Sequence, residues 1–170
     1  MDKQETYAYL KDRVTFVEVT EHPAVFNMAE VAEIKLPYPE VDAKNLFVRD
    51  EKHRNFYLIT VMGNKRVNLK EFRKAHGLKS LSFASDDELM QYLGIIPGAV
   101  TPLGLLNDQT RTVHWYLDAD FVMPEGLIGV HPNDNTATVW LKVKELIDII
   151  QEHGNEVEVV HLSDGQELRQ

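Results

Sequence analysis

Lys44-Asn-Leu-Phe-Val-Arg-Asp-Glu-Lys-His-Arg-Asn-Phe-Tyr-Leu-Ile-Thr-Val-Met62 is the stretch that decides the fold. Its two halves, Lys44–Arg49 and Asn55–Met62, are rich in β-branched and aromatic residues, and the polar Asp50–Arg54 between them is too short for anything but a hairpin. Toward the C-terminus, Asn68 with Glu71 and Ser85 with Glu88 have capping-box spacing, and Gly77 and Gly94 end the runs that follow. Helices are thus predicted over Leu69–His76 and Asp86–Leu93, flanking a short strand at Leu81–Ala84. Toward the N-terminus, residues 2–12 read as a helix and Val14–Thr20 as a strand in which Val14, Phe16 and Glu18 share a face. Asn27 with Glu30 starts a helix over Met28–Lys35 that Pro37-Tyr38-Pro39 stops. Farther on, Leu103–Leu106, Thr112–Leu117, Leu127–Val130 and Thr136–Leu141 are expected strands. Val143–His153 is an expected helix closed by Gly154, Glu156–Leu162 a last strand, and Ser163–Gln170 a frayed polar tail. Helices scattered among strands, without regular alternation or Gly-rich turns, predict an α+β fold with a mixed, curved sheet, in one domain over residues 1–170.

The 170 residues, 44% of them apolar, suffice for a sizeable core. The longest apolar stretches, Leu93–Val100 and Phe121–Val130, are interrupted by Gly, Pro or Glu, so no membrane partner is expected. The absence of cysteine excludes disulfides, thiolate metal sites and cysteine nucleophiles, and agrees with a cytoplasmic location. A formal charge of −9 argues against a polyanionic partner, because Lys and Arg supply most of the affinity for phosphates. The distribution qualifies this: Lys35–Lys79 holds eleven Lys and Arg against five Asp and Glu. That asymmetry fits either a polyanion-facing surface or a set of solvated faces.

No phosphate-cradling loop, dinucleotide fingerprint or Gly-x-Ser-x-Gly elbow occurs. The histidines at 22, 53, 76, 114, 131, 153 and 161 form no His-x-His or His-x-x-x-His pair, so no metal and no cofactor is expected. Three features ask for more than packing. Lys44-Asn45 opens a β run, where a lysine either projects into a cleft or is simply solvated. Gly98-Ala-Val-Thr-Pro102 makes a tight loop whose backbone groups either face a ligand or close a structural turn. Gly129-Val-His131-Pro-Asn-Asp-Asn135-Thr-Ala-Thr138 is dense in hydrogen-bonding side chains, which suit turn geometry as well as a binding site.

Together with His22-Pro-Ala-Val-Phe26, Lys65-Arg-Val67, Leu81-Ser-Phe-Ala-Ser85 and Leu106-Asn-Asp108, these segments resemble, in order, the YbaK/ProX family of free-standing relatives of the prolyl-tRNA synthetase editing domain. The branch most similar is that of the alanyl-tRNA(Pro) deacylases. The resemblance implies a barrel-like mixed sheet surrounded by helices, and hydrolysis of the ester joining a wrong amino acid, alanine first, to proline tRNA. Sister substrates would be cysteinyl or seryl/threonyl esters, and a module that binds tRNA or a synthetase without turnover is the rival class. It further implies Lys44, Gly98 and His131 as catalytic groups, and Asn45, Ala99, Thr101, Pro102, Asn135 and Thr136 as substrate-binding ones. Val25, Phe26 and Met28 are candidates for the pocket wall, or for core, since their spacing is that of an apolar helix face. The implied partners are the acceptor end of mischarged tRNA(Pro) and prolyl-tRNA synthetase, with the protein itself a monomer. An aminoacyl ester is already activated, so binding, orientation and oxyanion stabilisation can suffice without a protein nucleophile.

Overall fold

The computed structural model describes residues 1–24, 34–63, 65–123 and 126–162. Helix α1 (Lys3–Lys11) starts at Asp2, whose carboxylate accepts from the Glu5 amide while Glu5 caps in return. Strand β1 (Phe16–Glu21) follows, beginning two residues later than predicted; Val14 is buried ahead of it, whereas Val17 and Val19 within it are exposed.

The hairpin forms as read. Strands β2 (Ala43–Asp50) and β3 (Phe56–Met62) pair antiparallel from Ala43 opposite Met62 to Arg49 opposite Phe56. Asp50 closes it: its carboxylate accepts from the Arg54 and Asn55 amides and from Asn55 Nδ2, so the turn carries its own polar partners. Helix α2 (Leu69–Ala75) is capped by Asn68, β4 (Leu81–Phe83) pairs with β2, and α3 (Asp86–Leu93) opens with a reciprocal Ser85–Glu88 box. Strands β5 (His114–Asp118), β6 (Leu127–Val130) and β7 (Ala137–Lys142), helix α4 (Val143–His153) and strand β8 (Val157–Val160) complete the order.

Among the described residues the strands form two sheets, β4-β2-β3-β5-β8 and β1-β7-β6. The first is mixed, with β3, β5 and β8 parallel and the rest antiparallel; the second is antiparallel. The architecture is the expected α+β, but among the described residues the sheets do not close into a barrel and a single parallel bridge, Asp42 to Gly129, joins them. Strand periodicity sorts the core. Phe47, Leu58, Trp115 and Leu117 face Ile128, Val130, Val139 and Leu141 beneath α4, while Val48, Ile59, Val61 and Tyr116 face Phe72 of α2 on the other side.

Leu103–Leu106 is not a strand. Pro102 supplies a pre-set φ and lacks a donor, and the Thr101 hydroxyl accepts from the Leu103 amide, so the chain winds into a 3-10 helix over Pro102–Asn107. The predicted helix at Met28–Lys35 and the tail at Ser163–Gln170 fall largely or wholly outside the described residues. No helix among the described residues is long and apolar enough to cross a membrane.

Candidate active site at the junction of the two sheets

The bridge between Asp42 and Gly129 brings the start of β2 against β6. Two residues beyond it on each chain stand Lys44 and His131, which the two-residue strand period places on the same face as the bridged pair. Gly129 is required here: a Cβ would lie 2.3 Å from the Trp140 ring, which covers the glycine from the neighbouring strand. Trp140 donates its indole N–H to Thr20 Oγ1 at 3.0 Å and meets Tyr38 edge-on, with ring centroids 5.4 Å apart.

Lys44 and Asn45 necessarily point to opposite faces of β2. Asn45 lies opposite Thr60 and takes part in a directed relay of hydrogen bonds. Trp115 Nε1 donates to Thr60 Oγ1 (2.8 Å), the Thr60 hydroxyl donates to Asn45 Oδ1 (2.6 Å), and Asn45 Nδ2 donates to the Val100 carbonyl (3.3 Å). The loop 98–102 is thereby tied to the start of β2 from the buried indole outward. Gly98 has φ +90°, a conformation that excludes most side chains. Ala99 is fully buried and spends its amide on the Ile96 carbonyl, and Thr101 and Pro102, both buried, are engaged in starting the 3-10 helix. Among the described residues the amides of Gly98 and Val100 have no acceptor.

Lys44 faces away from that relay, lies opposite Val61, and donates to the Lys65 carbonyl at 3.4 Å. Lys65 is itself fixed. Its ammonium binds both oxygens of the fully buried Asp118 (2.8 and 3.1 Å), Asp120 (2.6 Å) and the Leu162 carbonyl (2.8 Å). Burial, which lowers an ammonium, is outweighed there by these carboxylates, and Lys65 is held above its usual value.

His131 bonds through Nδ1 to the Ala137 carbonyl at 2.8 Å. A carbonyl only accepts, so Nδ1 carries the proton. Burial holds the ring below the ordinary histidine range despite that bond, so near neutral pH it is uncharged and Nε2 presents its lone pair. His22 stands 6.0 Å away, centroid to centroid, and is fixed through Nε2 to Thr138 Oγ1. The turn after His131 is built for rigidity. Asp134 accepts from the Thr136 hydroxyl and amide, which hold its carboxyl below the usual value, and Lys3 of α1 reaches Thr136 Oγ1 at 2.9 Å. Asn135 is buried in the same turn.

The structure therefore divides the expected site residues. Asn45 at the start of β2 contacts the Gly98–Pro102 loop directly, Lys44 points to the opposite face of that strand, and His131 follows β6, whose Gly129 is bridged to Asp42. Thr101 and Thr136 use their side chains inside their own turns. Val25, Phe26 and Met28 lie outside the described residues. Sequence reasoning missed Thr60, Trp115 and Asp118, whose roles depend on partners far along the chain, and Asp42, whose carboxyl burial pushes up to about 7. No group of three or more histidines and carboxylates among the described residues could hold a metal ion.

Known proteins resemble this chain over most of its length. The family model described as an aminoacyl-tRNA editing domain matches residues 22–149. The Prolyl-tRNA editing protein ProX of Acetoanaerobium sticklandii is 36% identical over 160 residues, covering 94% of this chain and 97% of the relative. The Prolyl-tRNA synthetase associated domain-containing protein 1 of Xenopus laevis is 30% identical, covering 94% and 96%. In fold, a crystal structure described as a candidate trans-editing enzyme for prolyl tRNA synthetase superposes with TM-score 0.68 at 22% identity, covering 96% of this chain and 97% of that one. The matched segment contains Lys44, the Gly98 loop and His131, and on these grounds the chain belongs to the aminoacyl-tRNA editing domain family, alongside the prolyl-tRNA editing protein ProX.

Proposed function

We propose that this protein is a trans-editing deacylase of the cytoplasm that hydrolyses the ester of mischarged aminoacyl-tRNA, with alanyl-tRNA(Pro) as its substrate. The observation that supports it is the match of residues 22–149 to an aminoacyl-tRNA editing domain, in a fold where Asn45 at the start of β2 is tied to the Gly98 loop by a buried relay and His131 is a neutral histidine of fixed tautomer. Lys44 binds the terminal phosphate or polarises the ester carbonyl. The free amides of the Gly98 loop stabilise the developing oxyanion, as pre-aimed donors do at low cost of reorganisation. His131 Nε2 orients the substrate by accepting from a ribose hydroxyl or from the attacking water. The 2′-hydroxyl of the terminal ribose assists that water. A pocket shaped for proline separates smaller apolar amino acids by only about 1–3 kcal/mol per methylene, which is why a second sieve is useful.

A deacylation panel over alanyl-, cysteinyl-, seryl- and threonyl-tRNA tests this reading. Alanyl-tRNA(Pro) should be the fastest, and Lys44→Ala should lower its rate roughly 100-fold. Turnover of the cysteinyl ester with none of the alanyl one would overturn the substrate, and no turnover of any ester would overturn catalysis. The basic run between Lys35 and Lys79 should make tRNA affinity fall steeply as salt rises.

A further inference from the structure

Asp42 is a carboxyl the mechanism above does not use. It is half-buried, lies at the bridge that joins the sheets, and shares a face with Lys44 and His131. Its neighbour across the bridge is a glycine, and the Trp140 ring occupies the space where a side chain at that position would stand. The Asp42 amide and carbonyl are both engaged, with the Pro39 carbonyl and the Gly63 amide, yet among the described residues its side chain has no hydrogen bond or ion pair. The nearby cation is spent elsewhere, since the Lys44 ammonium is turned to the Lys65 carbonyl. A half-buried carboxyl with no donor among the described residues is partly desolvated at a cost, and such a group at a site is accounted for when a ligand brings the donor.

An aminoacyl ester with a small side chain offers few features by which it can be held: the carbonyl, the ribose and the α-ammonium. Lys44 repels the ammonium and His131 is neutral. Asp134 has an oxygen committed to Thr136 within its own turn. We infer that Asp42 receives the α-ammonium of the aminoacyl group, and so distinguishes a free aminoacyl ester from an N-blocked one. This rests on the deacylase reading. Burial raises the Asp42 carboxyl to about 7, and a bound ammonium offsets that by favouring the carboxylate.

The test compares kcat/KM for alanyl-tRNA(Pro) and N-acetyl-alanyl-tRNA(Pro), with native protein and Asp42→Asn. Acetylation should slow the native protein roughly 30-fold, Asp42→Asn should cost a similar factor on the free ester, and the two losses should not multiply. If Asp42→Asn keeps the native preference for the free amine, the ammonium is held elsewhere and the inference fails while the deacylase reading stands. Hydrolysis of neither ester by the native protein overturns both. A readout on native protein alone guards against a poorly folding variant: the carboxyl carbon resonance of Asp42 should titrate lower with an amide-linked 3′-alanylamino adenosine and not with its N-acetyl form. An unchanged titration with the free amine overturns the inference.

Discussion

Asp118 and Asp42 sit at strand ends of the same sheet system, each drawn away from solvent, and they could hardly be treated more differently. Asp118, at the end of β5, accepts from the Met62 and Asp120 amides and from Lys65, so its carboxylate is enclosed by donors. Asp42, just ahead of β2, has no side-chain donor among the described residues, and burial raises its proton affinity. The first corner is a clamp: it fixes the segment after β3 against β5 and the end of β8, and so holds still the Lys65 carbonyl to which Lys44 donates. The second is left open, on the face where Lys44 and His131 stand. Satisfied burial marks structure and unsatisfied burial marks a place for a ligand.

Removing the clamp should give the largest effect. Lys65→Met leaves the Asp118 charge enclosed without its cation, and should lower stability by about 3 kcal/mol, read from the denaturant midpoint at unchanged slope. A loss well under half of that would mean that backbone amides alone can hold Asp118, and the contrast between the two corners would weaken.

Asn45→Leu breaks the link between the buried Trp115–Thr60 pair and the Gly98 loop. It strands the Val100 carbonyl and the Thr60 hydroxyl, for about 1–2 kcal/mol of stability, and should cut deacylation more than it cuts folding because the Gly98 loop loses its tether. Activity that follows the folded fraction alone would show that the relay is only structural.

The last effect is one of pH. A carboxyl whose folded value is raised to about 7 from an ordinary 3.8 binds a proton in the folded state that the unfolded chain has released, so Asp42 lowers stability as pH rises from about 4 through 7. Asp42→Asn removes that dependence. The difference in melting temperature between Asp42→Asn and native protein should therefore grow in favour of the variant across this window, and a difference constant with pH would show that the Asp42 carboxyl is not perturbed.

Much of the fold was legible because its signals are local. The Ser85–Glu88 box, the Asn68 cap and the alternation through Lys44–Met62 each involve residues within one turn or one strand, and the structure places α3, α2 and the hairpin where those signals put them. Leu103–Leu106 misled because apolar composition does not distinguish a buried strand from a buried turn of helix; Thr101 and Pro102 immediately before it carried the deciding information. The candidate site residues were named from their resemblance to family motifs, and their division of labour was not visible there.

By itself the sequence determined most of the described elements, their boundaries to within a residue or two, and which side chains could bear chemistry, since caps, prolines and period-two patterns act through bonds a few residues long. Only the tertiary structure decided that Asp42 meets Gly129, that Trp115 holds Asn45 through Thr60, and that Lys44 turns from the loop its neighbour secures. Those facts depend on burial and on pairings between distant strands, and desolvation is a property of the packed fold that no local stretch of chain encodes.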